Sequence, residues 1–311
     1  MPIPKSEYIW FDGQLIPWDA AQVHVTTHAL HYGSSIFEGI RAYATPRGPA
    51  ILGLEAHLQR FFDSARIMRI QIPFSLAELR RAVLETVHRN GHQGCYIRPL
   101  AFRGSETFSL NARICPTHVI IITFEWGRYL GADALEKGVD VMVSSWRRMA
   151  TDTFAAMAKA GGNYINSQFV AMEASDYGFV EGIALDVNGF VSEGSGENIF
   201  VVYRGEIYTP PASASALMGI TRHYAITLAR ELGYRVREEN IPREMLYIAE
   251  EIFFTGTAAE ITPVRSVDRI PIGKGERGPL TQRIQEEFFA IVNGKKADRF
   301  NWLTFVNEEM Q

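Results

Sequence analysis

The chain has 311 residues, of which 47% are hydrophobic and 21% charged, and its formal net charge is −4. This composition is typical of a soluble globular protein, and the length predicts about two domains, because single cores rarely exceed about 250–300 residues. The weak negative charge gives no electrostatic basis for binding nucleic acid or an anionic membrane. The N-terminus lacks the apolar core of a signal peptide, and no apolar run reaches the roughly 20 residues of a membrane span, so we expect a cytoplasmic protein.

The cysteine content agrees with that expectation. The chain has two cysteines, Cys95 and Cys115, and each lies in an apolar, strand-like segment. A disulfide framework is typical of small secreted domains with more cysteines. We therefore expect two buried, reduced thiols.

The chain opens with a predicted hairpin at residues 9–16, turning at Asp12 and Gly13 in a type I′ geometry. Three histidines follow, at positions that resemble a metal site: His24, His28 and His31. No cysteine or carboxylate lies among them, and residues 25–27 are strand-like rather than helical. We interpret the histidines as structural and predict no metal.

Residues 32–39 alternate glycines with aromatic residues, a pattern of either a ligand-contacting loop or a packed turn. Residues 54–68 predict an amphipathic helix, with Arg60 beside its apolar stripe. Arg60 is therefore either a solvated helix residue or a clamp for an anion. Residues 75–89 predict a second helix, which begins with a capping box at Ser75.

A strand is predicted at residues 95–102, where period-2 alternation places Tyr96 and Arg98 on one face. This pair suits a bound carboxylate, although an arginine on an edge strand that meets a structural glutamate would look the same. Residues 119–124 predict another strand. The aromatic, glycine-containing stretch 125–131 then reads as the connection between two domains.

Lys159 is one of only six lysines in the chain, and no charged residue lies within six positions of it on either side. Small apolar residues precede it, and two glycines follow. Apolar surroundings disfavour an ammonium, so a nucleophilic free amine suited to Schiff-base chemistry becomes accessible. The alternative is a lysine at a helix start that extends its amine to solvent.

The second half alternates strands and helices. The predicted elements are a strand at 139–145, a helix at 163–174, hairpins at 182–193 and 198–208, a helix ending at 232, a strand at 252–259 and a helix at 280–292. Gly219 and Thr221 begin the middle helix, where free N–H groups and a hydroxyl suit a phosphate. Residues 273–278 (GKGERG) match a dinucleotide fingerprint literally, but no long buried strand precedes them, so we reject that interpretation.

Together, an isolated lysine, phosphate-suited turns, a helical arginine and Glu193 after a hairpin strand favour pyridoxal phosphate. That cofactor needs a lysine for its aldehyde, donors for its phosphate and a carboxylate for its ring nitrogen.

Six motifs make the chain resemble the branched-chain amino acid aminotransferases, which are class IV aminotransferases of fold type IV. They are residues 32–41 (YGSSIFEGIR), 96–100 (YIRPL), 158–164 (AKAGGNY), 193–199 (EGSGENI), 219–222 (GITR) and 255–263 (TGTAAEITP). The resemblance covers almost the whole chain in the same order. It implies an α/β protein of α+β type, with a smaller N-terminal α/β domain (1–124), an interdomain loop (125–136) and a larger cofactor domain with a mixed sheet or pseudo-barrel (137–311).

The resemblance also implies residue roles. Lys159 would be catalytic and bind pyridoxal phosphate covalently, with Tyr164 at the phenolic oxygen and Glu193 at the ring nitrogen. The phosphate would be held by Arg60, Gly219, Ile220, Thr221, Gly256 and Thr257. The substrate would be bound by Tyr32 from a neighbouring subunit, Phe37, Gly39, Tyr96, Arg98, Trp126, Tyr129 and Ala258.

The implied reaction is ping-pong transamination of leucine, isoleucine or valine with 2-oxoglutarate. At least a homodimer is implied, with a hexamer built as a trimer of dimers as a further possibility. Residues 104–115 depart from the family's glycine-rich loop, which leaves the substrate range open. The alternatives are a D-amino acid aminotransferase, an (R)-amine transaminase, aminodeoxychorismate lyase and a phosphate-ligand binding protein without chemistry.

Overall fold

The computed structural model describes residues 3–127, 130–131 and 133–310. Packing divides the chain into two units, each made of segments that are distant in sequence. Unit 1 comprises residues 1–127, 158–162 and 290–311, and unit 2 comprises residues 128–157 and 163–289. The domain boundaries proposed from the sequence, at 124 and 137, stay a prediction.

Strands supply most of the regular structure. The strands in the described part of the chain are β1 (Tyr8–Phe11), β2 (Gln14–Pro17), β3 (Ser35–Phe37), β4 (Ile40–Thr45), β5 (Gly48–Leu52), β6 (Cys95–Arg103), β7 (Thr117–Phe124), β8 (Val139–Arg147), β9 (Glu181–Leu185), β10 (Val191–Gly194), β11 (Asn198–Tyr203), β12 (Glu206–Thr209), β13 (Val236–Glu238), β14 (Glu251–Gly256), β15 (Glu260–Val267), β16 (Ile270–Pro271) and β17 (Leu303–Phe305). The α-helices there are α1 (His28–Tyr32), α2 (Leu54–Ile67), α3 (Leu76–Arg89), α4 (Ala134–Lys137), α5 (Tyr164–Asp176), α6 (Ile220–Glu231), α7 (Pro279–Val292) and α8 (Val306–Glu309).

Unit 1 is built on an antiparallel sheet in the order β17-β5-β4-β6-β7-β1-β2, with β3 paired to β6. Helices α2 and α3 pack against each other, and Leu58 of α2 and Val83 of α3 are fully buried. The predicted capping box at Ser75 is confirmed, since its hydroxyl accepts from the N–H of Glu78 and the carboxylate of Glu78 accepts from the N–H of Ser75. Both cysteines are buried free thiols, as expected.

Unit 2 holds a mixed sheet in the order β10-β9-β8-β15-β14-β11-β12-β13, with β16 paired to β15. The pairs β8–β9, β8–β15 and β12–β13 are parallel, and the others are antiparallel. One face buries an aliphatic core around Val141, Ile199 and Ile252. Two mixed or antiparallel sheets with flanking helices confirm the predicted α+β class.

The predicted hairpins are confirmed. Asp12 and Gly13 both have positive φ, as a type I′ turn requires, and so do Arg204 and Gly205. The hairpin at β9–β10 differs locally, because only Gly189 of its central dipeptide has positive φ. There the carboxylate of Asp186 accepts the N–H groups that follow and closes the turn.

The strand-like interpretation of residues 25–27 is wrong. These residues form a turn closed by a hydrogen bond from Thr27 N–H to the carbonyl of His24, and helix α1 follows at once. The buried His28 bonds Ser34 Oγ through Nδ1 and the carbonyl of Ser109 through Nε2. Across the described residues, no group of three or more His, Cys, Asp or Glu side chains could hold a metal ion. Within the same residues, no helix combines the length and apolar character needed to cross a membrane.

Candidate active site

Lys159 lies in unit 1, on the segment 158–162 that runs beside strand β3. Its N–H donates to Ser64 Oγ (3.0 Å), and its carbonyl accepts from the N–H of Phe37 (2.9 Å). The half-buried side chain brings Nζ to 4.9 Å from the centre of the Phe37 ring. The lysine backbone is therefore fixed from two directions, and its amine faces an aromatic ring instead of a solvated helix surface.

Arg98 approaches the same Phe37 ring, with its guanidinium carbon 4.6 Å from the ring centre. Arg98 Nη2 donates to Tyr96 Oη (3.1 Å), which confirms that the two side chains share one face of β6. Strand β6 is hydrogen-bonded on both sides, so the edge-strand alternative is wrong. Arg98 Nε is buried without a hydrogen-bond partner among the described residues. Because an unpaired buried donor is costly, this atom suits a carboxylate ligand.

Gly39 completes this cluster by making room for Tyr96. A Cβ atom at position 39 would lie 2.0 Å from Tyr96 Oη, so any larger residue would displace the tyrosine hydroxyl. The Tyr96 ring packs edge-on against Trp126 at 4.6 Å, and Arg41 Nη2 holds the carbonyl of Trp126 at 2.9 Å. We call Phe37, Gly39, Tyr96, Arg98 and Trp126 the Phe37 cluster. It unites five of the predicted substrate residues with Lys159.

A polar triad joins two residues of helix α2, His57 and Arg60, to Glu38, which directly follows β3. Both oxygens of the fully buried Glu38 accept from Arg60, at 2.7 Å from Nε and 2.8 Å from Nη2, and Nδ1 of His57 donates at 2.7 Å. Burial opposes the negative charge, but Arg60 and His57 outweigh it and hold the pKa of Glu38 well below its usual range. Burial lowers the pKa of His57, while the neighbouring charge of Glu38 acts in the opposite direction. Arg60 therefore has a carboxylate partner within the protein. Neither interpretation from the sequence, a solvated helix residue or a clamp for an anion, included this partner.

One predicted substrate residue of unit 1, Tyr32, makes its hydrogen bond outside the Phe37 cluster. Tyr32 ends helix α1, is 46% exposed, and donates from its hydroxyl to the carbonyl of Phe108 (3.2 Å). This places it against the loop 104–115 of its own chain. Tyr129 lies outside the described residues.

In unit 2, Glu193 on β10 is buried and bonded on both oxygens. Its Oε1 lies 2.8 Å from Arg148 Nη2, and its Oε2 accepts from the N–H of Leu217 (2.9 Å) and from Asn198 Nδ2 (3.4 Å). A guanidinium partner, one backbone N–H and one side-chain amide stabilise the ionised carboxylate. Glu193 is thus a fixed, buried anion.

Asn198 links this carboxylate to the predicted phosphate turn. Its Nδ2 also donates to the carbonyl of Leu217 (2.8 Å), just before Gly219, the N-cap of helix α6. A Cβ at position 219 would lie 2.0 Å from Asn198 Oδ1, so glycine is required there. Ile220 begins the helix and Thr221 is buried beside it, so the start of α6 carries the N–H groups and hydroxyl expected from the sequence.

Gly256 ends β14, and Thr257 and Ala258 form the turn to β15, as predicted. On the neighbouring strand β11, Asn198 pairs in register with Thr255, so this turn and Glu193 belong to one part of unit 2. Tyr164 is the half-buried first residue of helix α5 in the same unit.

Unit 2 also contains a pair of buried carboxyl groups, Glu181 and Glu197. Ser195 donates to Glu181 from both its hydroxyl (2.9 Å) and its N–H (3.2 Å), and the N–H of Gly196 donates to Glu197 (3.1 Å). Burial, and then the neighbouring charge of Glu181, raises the pKa of Glu197 well above its usual range, and burial raises the pKa of Glu181. The two carboxyl groups therefore hold a proton more tightly than exposed glutamates do.

Sequence reasoning missed the residues that support the predicted ones. They are Glu38, His57, Arg148, Glu181, Glu197 and Asn198. A signal existed for one of them, since His57 falls on the apolar stripe of α2, three residues after Leu54 and four before Phe61. The others are polar residues in strands and loops, where periodicity does not indicate a partner.

These features define a class of protein. The chain belongs to the class IV aminotransferases: the family model described as amino-transferase class IV matches residues 35–267.

Individual proteins that are similar to this chain carry a more specific name than the family. The chain is 51% identical over 309 residues to the branched-chain-amino-acid aminotransferase of Escherichia coli (strain K12), covering 99% of this chain and 100% of that one. It is 48% identical to the Pseudomonas aeruginosa protein of the same name, covering 97% and 98%. The solved E. coli structure matches with a TM-score of 0.96 at 52% identity, covering 97% of this chain and 100% of that one. The solved T.th. branched-chain amino acid aminotransferase with pyridoxamine 5'-phosphate matches with a TM-score of 0.94 at 46% identity, covering 97% and 99%. The expected fold type is thereby confirmed.

Proposed function

We propose that the protein transfers the amino group of leucine, isoleucine or valine to 2-oxoglutarate by a ping-pong mechanism, with pyridoxal phosphate as cofactor. The observation that carries the proposal is the Phe37 cluster: an amine, an aromatic wall and an arginine with an unpaired buried N–H lie together in unit 1. Two relatives that are 51% and 48% identical to this chain over nearly their full length are named branched-chain-amino-acid aminotransferases.

The donor set of the chain fits this cofactor. Lys159 offers an amine for the aldehyde, Glu193 is a buried anion for the ring nitrogen, and the start of α6 after Gly219 offers N–H donors for the phosphate. When bound, pyridoxal phosphate supplies the carbonyl that captures the substrate amine and the ring that stabilises negative charge at Cα. Arg60, Thr221 and Thr257 would complete the phosphate site, and Tyr164 would hold the phenolic oxygen. Gly256, which has no side chain, would let the phosphate come close to the backbone.

The chain's own residues then account for the chemistry. The amine of Lys159 would take the Cα proton of the substrate as general base and give it back as general acid. Its backbone bonds to Ser64 and Phe37 fix the main chain from which Nζ extends. The Tyr96 hydroxyl and the turn at Thr257 and Ala258 would bind the α-carboxylate.

One pocket must accept both an aliphatic and an acidic side chain. The Phe37 and Trp126 rings supply the apolar wall, with Tyr129 as a further proposed part. Arg98, stacked on Phe37 and bonded to Tyr96, would turn its unpaired Nε to the distal carboxylate of glutamate or 2-oxoglutarate. Stacking on an aromatic face lowers the cost of keeping this guanidinium beside an aliphatic substrate.

We also propose at least a homodimer, in which Tyr32 of a neighbouring subunit contributes to the pocket, and a cytoplasmic location. An exposed Tyr32 held against the loop 104–115 supports the first proposal. Two free buried thiols support the second. The hexamer remains a further proposal for the same assembly.

A substrate panel tests the proposed function. Purified protein is supplied with pyridoxal phosphate and assayed with L-leucine, D-alanine and (R)-phenylethylamine, with 2-oxoglutarate and with pyruvate as acceptors. We expect turnover of L-leucine with 2-oxoglutarate and at most weak turnover of the other two donors. Turnover of D-alanine or of the amine without turnover of L-leucine would overturn the proposal.

A further inference from the structure

The buried ion pair between Arg148 and Glu193 has no role in the chemistry described so far. Arg148 Nη2 lies 2.8 Å from Glu193 Oε1, and the two side chains are 6% and 8% exposed. We propose that Arg148 is a positioning residue that keeps Glu193 ionised, so that the proton between Glu193 and the cofactor's ring nitrogen stays on the nitrogen. The inference rests on the proposed role of Glu193.

Rigid elements direct the guanidinium at Glu193. The main-chain N–H of Arg148 donates to the carbonyl of Leu185 on β9 (2.8 Å), and its Nη1 donates to Asn166 Oδ1 on α5 (2.8 Å). Asn166 is itself fixed, because its Nδ2 donates to the carbonyl of Arg147 (2.9 Å). Glu193 sits on β10, which pairs with β9. The pair is therefore set by the backbone of two strands and one helix.

The surroundings of Glu193 would otherwise favour its neutral form. Glu193 is buried, and Glu197 is an acidic neighbour whose own pKa is raised by burial, by Glu181 and by the charge of Glu193. Burial disfavours an isolated carboxylate. Arg148 offsets this cost through a charge-assisted bond to Glu193.

The proposed role of Arg148 decides where one proton resides, on the Glu193 carboxylate or on the cofactor's ring nitrogen. A carboxyl group and a ring nitrogen in contact share a proton either as carboxylate and protonated nitrogen, or as carboxylic acid and neutral nitrogen. A low-dielectric site favours the neutral pair unless another cation stabilises the carboxylate. Arg148 makes Glu193 the weaker base, which leaves the proton on the ring nitrogen, where it strengthens electron withdrawal from the reacting carbon.

The test measures the protonation of the ring nitrogen directly, in holoenzyme carrying ¹⁵N-labelled pyridoxal phosphate. The variants are Arg148→Met, Arg148→Gln, Arg148→Lys, Glu193→Gln and the double variant Arg148→Met/Glu193→Gln. Arg147→Met is the matched control, since the adjacent Arg147 is exposed and its Nη1 bonds the carbonyl of Val187 instead. Arg148→Gln keeps hydrogen-bonding groups without charge and replaces Arg148→Met if that variant does not fold.

We expect a protonated ring nitrogen in the wild type, Arg148→Lys and Arg147→Met. We expect a neutral one in Arg148→Met, Arg148→Gln and Glu193→Gln. In Arg148→Met, kcat should fall by about 10- to 100-fold, the usual size for a residue that orients a ligand-binding group, with a smaller change in KM. The double variant should lose no more than Glu193→Gln alone, because both changes act on one proton.

A ring nitrogen that stays protonated in Arg148→Met and Arg148→Gln but not in Glu193→Gln would overturn the inference and leave the cofactor role of Glu193 standing. A nitrogen that stays protonated in Glu193→Gln would overturn both. The substrate panel on the wild type is independent of either result, so a failure of the proposed function is distinguishable.

Discussion

Glu38 accepts hydrogen bonds from both Nε and Nη2 of Arg60, at 2.7 and 2.8 Å, and its side chain is completely buried. The two residues are separated by 22 positions, since Glu38 lies between β3 and β4 and Arg60 lies on helix α2. Arg60 is also the residue proposed to hold the cofactor phosphate. The pair thus fixes a cation before any anion binds, which lowers the entropic cost of binding one.

Removing Glu38 should destabilise the protein strongly. In Glu38→Ala, the partly buried Arg60 loses the carboxylate of Glu38, and breaking a buried pair in this way typically costs about 3–5 kcal/mol of the free energy of unfolding. Glu55→Ala is the matched control on the same helix, because its partner Arg80 is bound at the surface and such pairs contribute about 1 kcal/mol or less. Denaturant unfolding of the cofactor-free protein measures both, and equal losses would contradict the prediction.

The carboxylate of Glu38 also predicts that the stability of the protein falls at acidic pH. The pKa of Glu38 is depressed in the folded state, so its stabilising contribution is present above the glutamate value of the unfolded chain, roughly 4.3, and is lost as pH falls below it. We expect the stability difference between wild type and Glu38→Gln to shrink as pH is lowered from 5 toward 3. A constant difference across that range would argue against an ionised Glu38.

Lys159→Ala should abolish both covalent cofactor binding and turnover, because Lys159 is the amine that lies over the Phe37 ring. Absorbance in the visible and borohydride labelling followed by peptide mapping are the measurements. Lys137→Ala is the control, since Lys137 is exposed and paired with Asp133. Labelling that persists on another lysine in Lys159→Ala would refute the assignment.

Arg98→Met should separate the two substrates. A lost charge-assisted bond of about 1.5–3 kcal/mol corresponds to roughly a 10- to 150-fold rise in KM for 2-oxoglutarate. The half-reaction with leucine should change much less, because it needs no cation at the distal end. Stopped-flow measurement of each half-reaction checks this. The 2-oxo acid of leucine serves as the acceptor without a distal carboxylate. An equal rise in KM for both acceptors would contradict the proposal that Arg98 binds the distal carboxylate.

Glu197→Gln should flatten the dependence of stability on pH. The pKa of Glu197 is raised in the folded state by burial and by Glu181, so folding retains a proton that the unfolded chain releases, and stability falls as pH rises through the range above the usual glutamate value. Glutamine mimics the protonated acid and removes this dependence. Thermal unfolding between pH 5 and 8 measures it. A variant as pH-sensitive as the wild type would show that Glu197 is not the proton carrier.

Local features could be read from the sequence. The turn at Asp12 and Gly13 and the capping box at Ser75 each depend on residues a few positions apart, and the structure has both. The shared face of Tyr96 and Arg98 follows from strand alternation alone. Where local preference was ambiguous, as at residues 25–27, a β-branched run indicated a strand and the structure has a turn.

What the sequence determined by itself was therefore the chemistry available: a lysine free of charged neighbours, a tyrosine and arginine facing one way, and a glycine at the start of a helix. Only the tertiary structure decided the partners. Glu38 with Arg60 and Arg148 with Glu193 are pairs of charged residues that look like surface positions in a sequence. Burial is what makes each pair obligatory, and burial depends on contacts between segments that no local pattern connects.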